Sequence, residues 1–196
     1  MARRPELQIC DSRRGDDPSS IAVDANVRLA AVPEPVVIVD GLEIDWPKYV
    51  SQLDDILNAD GARPFVICNA WWPGNRKTEA AVAETFPGAV VVGPAFLATP
   101  SPGRFVADVF EVRERRGGWA SGTWIIGTCV SLEALSAALR VYPNAMAPVF
   151  FAALDVFSCI SGALCIDERQ TGSTLIARVT PDNEAAVDRL LTDLRA

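Results

Sequence analysis

The sequence predicts an α/β fold: a single domain with a mixed, largely parallel central sheet, helices on both faces, and a β-hairpin and helix at its C-terminal end. Three branched apolar runs carry that expectation: Pro35-Val36-Val37-Ile38-Val39-Asp40-Gly41, Pro64-Phe65-Val66-Ile67-Cys68-Asn69 and Ala89-Val90-Val91-Val92-Gly93. An unbroken run of this kind suits a strand covered on both faces. The intervals between the runs each hold one helix-length segment, the rhythm of a βαβαβ unit with parallel strands. Strands over 36–40, 65–69 and 90–93 would then share one rim at their carboxyl ends.

A first strand is expected over 6–10. The polar turn chemistry of Arg13-Arg14-Gly15-Asp16-Asp17-Pro18 follows it. Across 21–29 apolar and polar residues alternate, the period of a strand with one wet face. After the first central run, Asp45 has N-cap chemistry and Pro47 fits a first helical turn. Trp46, Val50, Leu53 and Leu57 then recur at helical spacing, up to a stop at Asp60-Gly61. The second run leads into Ala70-Trp71-Trp72-Pro73-Gly74-Asn75-Arg76-Lys77, and a short helix is expected over 78–86, closed by Pro87-Gly88.

Residues 93–103 form a proline-rich connection that is long for a compact domain. Residues 104–113 and 119–130 suggest the strands of a hairpin around the tip Glu114-Arg115-Arg116-Gly117-Gly118. Ser131 is placed to cap a helix with Leu132, Leu135, Leu139 and Tyr142 as its packing stripe. The apolar stretch 145–166 holds one charge, Asp155, and divides into a helix over 149–158 and a strand over 163–167. Pro148, Asp155 and the closing Asp167-Glu168 favour a buried element over a membrane span. Arg169-Gln170-Thr171-Gly172 turns the chain into a strand over 173–180. Thr180-Pro181-Asp182-Asn183 then opens a closing helix packed through Val187, Leu190, Leu191 and Leu194. One domain over 1–196 accommodates these elements; a subdivision near residue 100 would separate a βαβαβ half, 1–99, from a mixed half, 100–196.

Composition narrows the function classes. A net charge of −7 and a pI near 4.6 repel free nucleic acid and anionic membranes, and favour a partner with a cationic patch. Histidine is absent, which excludes His-dependent triads and removes the commonest metal ligand. Cys10, Cys68, Cys129, Cys159 and Cys165 lack CxxC spacing and sit mostly in apolar runs, as buried thiols do in a reducing compartment. Met1-Ala2-Arg3-Arg4-Pro5 leads into polar sequence without an apolar signal core, so cytoplasmic residence is expected. Neither GxGxxG nor GxxxxGK[ST] occurs.

Two function classes remain. The first is a non-catalytic binding or assembly protein, of the acidic inhibitor or immunity kind or a subunit of a larger complex, needing no cofactor. Trp71, Trp72, Pro73 and Arg76 are its interface candidates, because tryptophan beside arginine is hot-spot composition and two adjacent indoles on an extended backbone cannot enter one core together. The second is a magnesium-dependent phosphoryl-transfer or phosphodiester-cleaving enzyme. Its Asp40, with Asp45 or Asp108, would hold Mg2+ at the strand ends, where ligands gather in parallel sheets. Val39-Asp40-Gly41 faintly resembles the end of the first strand in the metal-dependent PIN and NYN nuclease domains, and that resemblance implies parallel strands and a metal at Asp40. Those families place further acids at the end of a later strand, where this chain has Ile125-Ile126-Gly127-Thr128-Cys129-Val130-Ser131.

Overall fold

The computed structural model describes residues 6–18, 35–42, 46–57, 63–70, 90–92, 96–98, 106, 122–141, 159–167 and 173–196. In chain order these form β1 (Gln8–Asp11), a 3-10 turn (Ser12–Arg14), β2 (Val36–Leu42), α1 (Trp46–Leu57), β3 (Arg63–Ala70), β4 (Val90–Val92) and β5 (Phe96–Ala98). There follow β6 (Gly122–Cys129), α2 (Leu132–Val141), β7 (Ile160–Asp167), β8 (Ser173–Arg178) and α3 (Glu184–Arg195). The strands make one sheet in the order β1-β2-β8-β7-β6-β3-β5-β4.

All paired neighbours in that sheet are antiparallel, which overturns the expected largely parallel sheet and the parallel strands implied by the nuclease resemblance. β2, β3 and β4 do run in one direction, because an even number of antiparallel steps separates them. They are not neighbours, however: β8, β7 and β6 lie between β2 and β3, and β5 lies between β3 and β4. Four strand spacings of about 4.8 Å set β2 and β3 roughly 19 Å apart. The connection through α1 therefore skips places that the C-terminal strands later fill.

One face of the sheet carries the helices. Val39, Leu175, Leu164 and Ile126 occupy one register row across β2, β8, β7 and β6, and Val37 pairs with Ala177 in the next. Against these rows pack Tyr49, Leu53, Ile56 and Leu57 of α1 and Ala186, Val187, Leu190 and Leu191 of α3. Their spacing of three and four residues sets each group on one helical stripe. Burying a leucine this fully stabilises by about 2 kcal/mol before chain entropy is counted. On β7, Gly162 leaves room for Leu57: a β-carbon there would sit 3.1 Å from the leucine Cδ2.

The opposite face is buried as well. Cys10, Ile38, Ile176, Ala163, Gly127 and Phe65 form a row across β1, β2, β8, β7, β6 and β3. All of them are buried, and Val36 to Val39 of β2 are each at most 1% exposed. The apolar run was thus a true sign of burial on both faces but said nothing of strand direction. In this row Phe65 lies over Gly127, where a β-carbon would stand 2.8 Å from the ring Cζ and collide with the Gly162 carbonyl oxygen.

Two local expectations fail, the first because each strand has two edges and no more. Both edges of β6 are taken, by β3 and β7, which leaves no place beside it for the expected hairpin partner; of that partner stretch, 104–113, only Val106 is among the described residues. Val106, the described residue of that stretch, is helical and buried, and its N–H donates to Asp54 Oδ1 of α1 at 2.9 Å. Within the expected proline-rich connection, Phe96–Ala98 is a strand that bridges β3 and β4. The strand expected over 21–29 and the helices expected over 78–86 and 149–158 lie outside the described residues.

Candidate functional site

Asp40 is the one sequence-selected site residue among the described residues; Asp45, Trp71, Trp72, Pro73, Arg76 and Asp108 lie outside them. It stands beside an irregularity in β2, where the register with β8 shifts between Val39 and Leu42. Gly41 makes the shift possible. Its φ of 72° lies in the left-handed region, and a β-carbon there would come within 2.9 Å of the Glu6 carbonyl oxygen. The half-buried Asp40 Oδ1 accepts a 2.7 Å hydrogen bond from the Thr174 hydroxyl on β8, a neutral donor of the same sheet. Along this end of the sheet, Asn69, Thr123 and Asp167 share one register row of β3, β6 and β7. β3 ends at Ala70, at the end of the sheet where Asp40 lies. Among the described residues no group of three or more cysteines and acids is arranged to hold a metal ion.

A second charged cluster, at the other end of β2, escaped the sequence reading. Asp11 closes β1 and caps the 3-10 turn: its Oδ1 accepts from the Arg13 N–H at 3.1 Å and Nε at 2.9 Å, and its Oδ2 accepts from Nη2 at 2.8 Å. Gly15, at φ 85°, ends the turn by returning its N–H to the Ser12 carbonyl at 3.1 Å. The Ser12 hydroxyl accepts from the Val36 N–H at 2.9 Å and so ties the turn to the start of β2. Arg13 then reaches α3, with Nη2 2.8 Å from Asp188 Oδ1 and Nη1 3.4 Å from Glu184 Oε1. The hydrogen bonds from Arg13 hold the buried Asp11 carboxyl below the ordinary carboxylate range, against the opposing effect of burial. In turn, Asp11 and Asp188 make Arg13 still harder to deprotonate. A guanidinium held by three carboxylates is a clamp for the fold rather than a donor offered to a ligand.

Asn183 is the other residue missed. Its position before α3 was read as part of a helix start, and its carbonyl does accept the first helical bonds, from Ala186 at 3.0 Å and Val187 at 2.9 Å. Its side chain makes no capping bond; it is 2% exposed and turned inward. Nδ2 donates to the carbonyls of Ile56 at 3.1 Å and Arg178 at 2.9 Å, while Oδ1 accepts from the Thr180 N–H at 2.9 Å. Asn directly before a helix was the available signal, but the partner across the core was not visible in the sequence.

The described thiols are in keeping with the expected burial: Cys10, Cys129 and Cys159 are buried and Cys165 is half-buried. Burial, with a smaller contribution from neighbouring Cys159, pushes the Cys129 thiol up to about 12. Among the described residues no helix is long and apolar enough to cross a membrane.

No family model, no curated protein and no solved structure matches this chain.

Proposed function

We propose that this chain is a non-catalytic binding or assembly protein of the cytoplasm, with the Trp71-Trp72-Pro73 loop and Arg76 as its contact surface for a protein partner. The observation that supports this best is the Asp40–Thr174 hydrogen bond at 2.7 Å. An acid recruited for magnesium is joined around the ion by further oxygen ligands. Here Asp40 is engaged by the sheet, just as Asp11 is engaged by Arg13 and Asp54 by the Val106 N–H. The net charge of −7 adds an electrostatic preference for a basic partner, which would speed encounter and sharpen selectivity.

The test is chemical cross-linking in the native cell, capture of the full-length tagged chain, and mass spectrometry of what is retained. A stoichiometric protein partner is expected for the wild type. Trp71→Ala with Trp72→Ala should release it while leaving the unfolding temperature unchanged. The proposal fails if no stoichiometric partner is retained, or if the purified chain cleaves phosphodiesters with magnesium and Asp40→Asn abolishes that cleavage.

A further inference from the structure

We infer that the outer edge of β1 is a self-association site, on which a second copy of this chain adds its own β1 antiparallel and joins the two sheets into one. The hydrogen bonds of the sheet fix which backbone groups lie on that edge. The Val179 N–H donates to the Pro35 carbonyl at 2.8 Å, so β2 bonds to β8 through Pro35, Val37 and Val39. Val36, Ile38 and Asp40 therefore turn toward β1, and the Val36 N–H does reach the Ser12 hydroxyl there at 2.9 Å. Cys10 and Gln8 stand opposite Ile38 and Asp40 and bond inward, and the Glu6 carbonyl lies against Gly41 of β2. The N–H and C=O groups of Leu7, Ile9 and Asp11 thus point away from the sheet.

Part of this edge is already closed. The outward N–H of Asp11 is taken by Asp16 Oδ2 at 2.9 Å, and Pro5, two residues before Leu7 in the sequence, carries no N–H. Two donors remain, on Leu7 and Ile9. No described strand pairs with the edge, no described group accepts from either N–H, and Leu7 is 38% exposed. The two donors are self-complementary. Between identical antiparallel strands related by a two-fold axis, setting Leu7 opposite Ile9 of the second copy pairs both donors and both acceptors of each chain. Pro5, without an N–H, then falls opposite Asp11, whose N–H is taken, so no donor is wasted. Sliding by two residues either way spoils the match. Leu7 opposite Leu7 leaves the Ile9 carbonyl facing Pro5, and Ile9 opposite Ile9 leaves the Leu7 carbonyl facing the engaged Asp11 N–H. The side chains agree with the favoured register: exposed Leu7 meets Ile9, itself partly buried against the core, and Glu6 meets Cys10 rather than another acid. Gln8 meets its own copy across the axis.

The test is sedimentation velocity of the full chain over a concentration series at low and high salt. A monomer–dimer equilibrium is expected, with the mass rising from 21.1 kDa toward twice that value. Salt should favour the dimer, because each copy carries a net charge of −7. Ile9→Pro removes an outward donor and no bond to β2, so it should keep the far-ultraviolet spectrum and abolish the dimer. Gln8→Cys sets two thiols across the two-fold axis. On oxidation it should give a disulfide between the position-8 peptides of two copies, read by mass spectrometry of an unreduced digest. A chain that stays monomeric at every concentration, a dimer that survives Ile9→Pro, or cross-links between copies that spare position 8 would each overturn the inference; the cross-link map decides even if Ile9→Pro folds poorly.

Discussion

The amide of Asn183 donates to the carbonyl of Ile56 at 3.1 Å, joining the entry of α3 to the last turn of α1 across 127 residues of chain. The last carbonyls of a helix have no partner within it. At Ile56 that vacancy falls in the core, where water cannot fill it, and one buried asparagine supplies the donor. The same side chain satisfies Arg178 and Thr180 at the end of β8, so a single residue fixes how sheet, α1 and α3 meet.

Asn183→Ala should cost about 3 kcal/mol in urea unfolding, because it leaves two carbonyls and one N–H without partners in a dry place. Asn183→Asp should be as harmful at pH 7, since a carboxylate would face two carbonyl oxygens. Burial and those carbonyls raise the folded pKa of the new acid, so the folded state of this variant binds a proton before the unfolded state does. Its stability should therefore recover as pH falls from 7 towards 5, relative to wild type. A deficit independent of pH would contradict this account.

Asp11 has the opposite sign. Hydrogen bonds from Arg13 lower its folded pKa from an unfolded value near 3.8, so its contribution is complete above that value and is lost as pH falls through the lower, folded one. Asp11→Asn should cost about 2 to 3 kcal/mol at pH 7 and flatten the acid limb of the stability profile below pH 4. Asp188→Ala removes an exposed partner of the same guanidinium and should cost less than about 1 kcal/mol. Equal losses for the two variants would mean that the clamp does not depend on the buried acid.

Gly127→Ala and Gly162→Ala should differ. At Gly127 the added methyl meets backbone of β7 and the ring of Phe65, neither of which can yield without opening the sheet, and the expected loss is about 2 to 3 kcal/mol. At Gly162 the nearest atom is the flexible end of Leu57, so a smaller loss is expected. Denaturant midpoints of the two variants rank them directly.

Thr174→Val removes the hydroxyl that Asp40 accepts from and should cost about 1 kcal/mol, since the half-buried carboxylate regains water. Thermal scans of wild type and Asp40→Asn with and without magnesium test the binding role from the other side. Both should shift equally little. A magnesium-dependent rise confined to wild type would reveal ligation by Asp40.

Much of the local structure was legible. Val36 to Val39 announced burial on both faces, the apolar spacing from Trp46 to Leu57 announced α1, and Ser131 announced the start of α2. Strand partners were not legible, because pairing runs through backbone N–H and C=O groups that nearly every residue carries alike. Phe96–Ala98 was hidden for a related reason: a three-residue strand between prolines has too little side-chain pattern to show a period. At the candidate site, Asp40 stood out as an acid ending an apolar run, but nothing in its neighbours named Thr174, 134 residues away, as its partner. Arg13 and Asn183 looked like ordinary turn and cap residues for the same reason.

From the chain alone come the acidity, the lack of histidine, the positions of the main apolar elements and the burial of the thiols, since each follows from side-chain chemistry and short-range spacing. Tertiary structure alone decided that β2, β3 and β4 point one way without touching, that β6 takes β3 and β7 as neighbours, and that Asp40 answers to Thr174. Those outcomes depend on which distant segments fill the sheet between them. Three-dimensional packing makes that choice, and the spacing of residues along the chain does not record it.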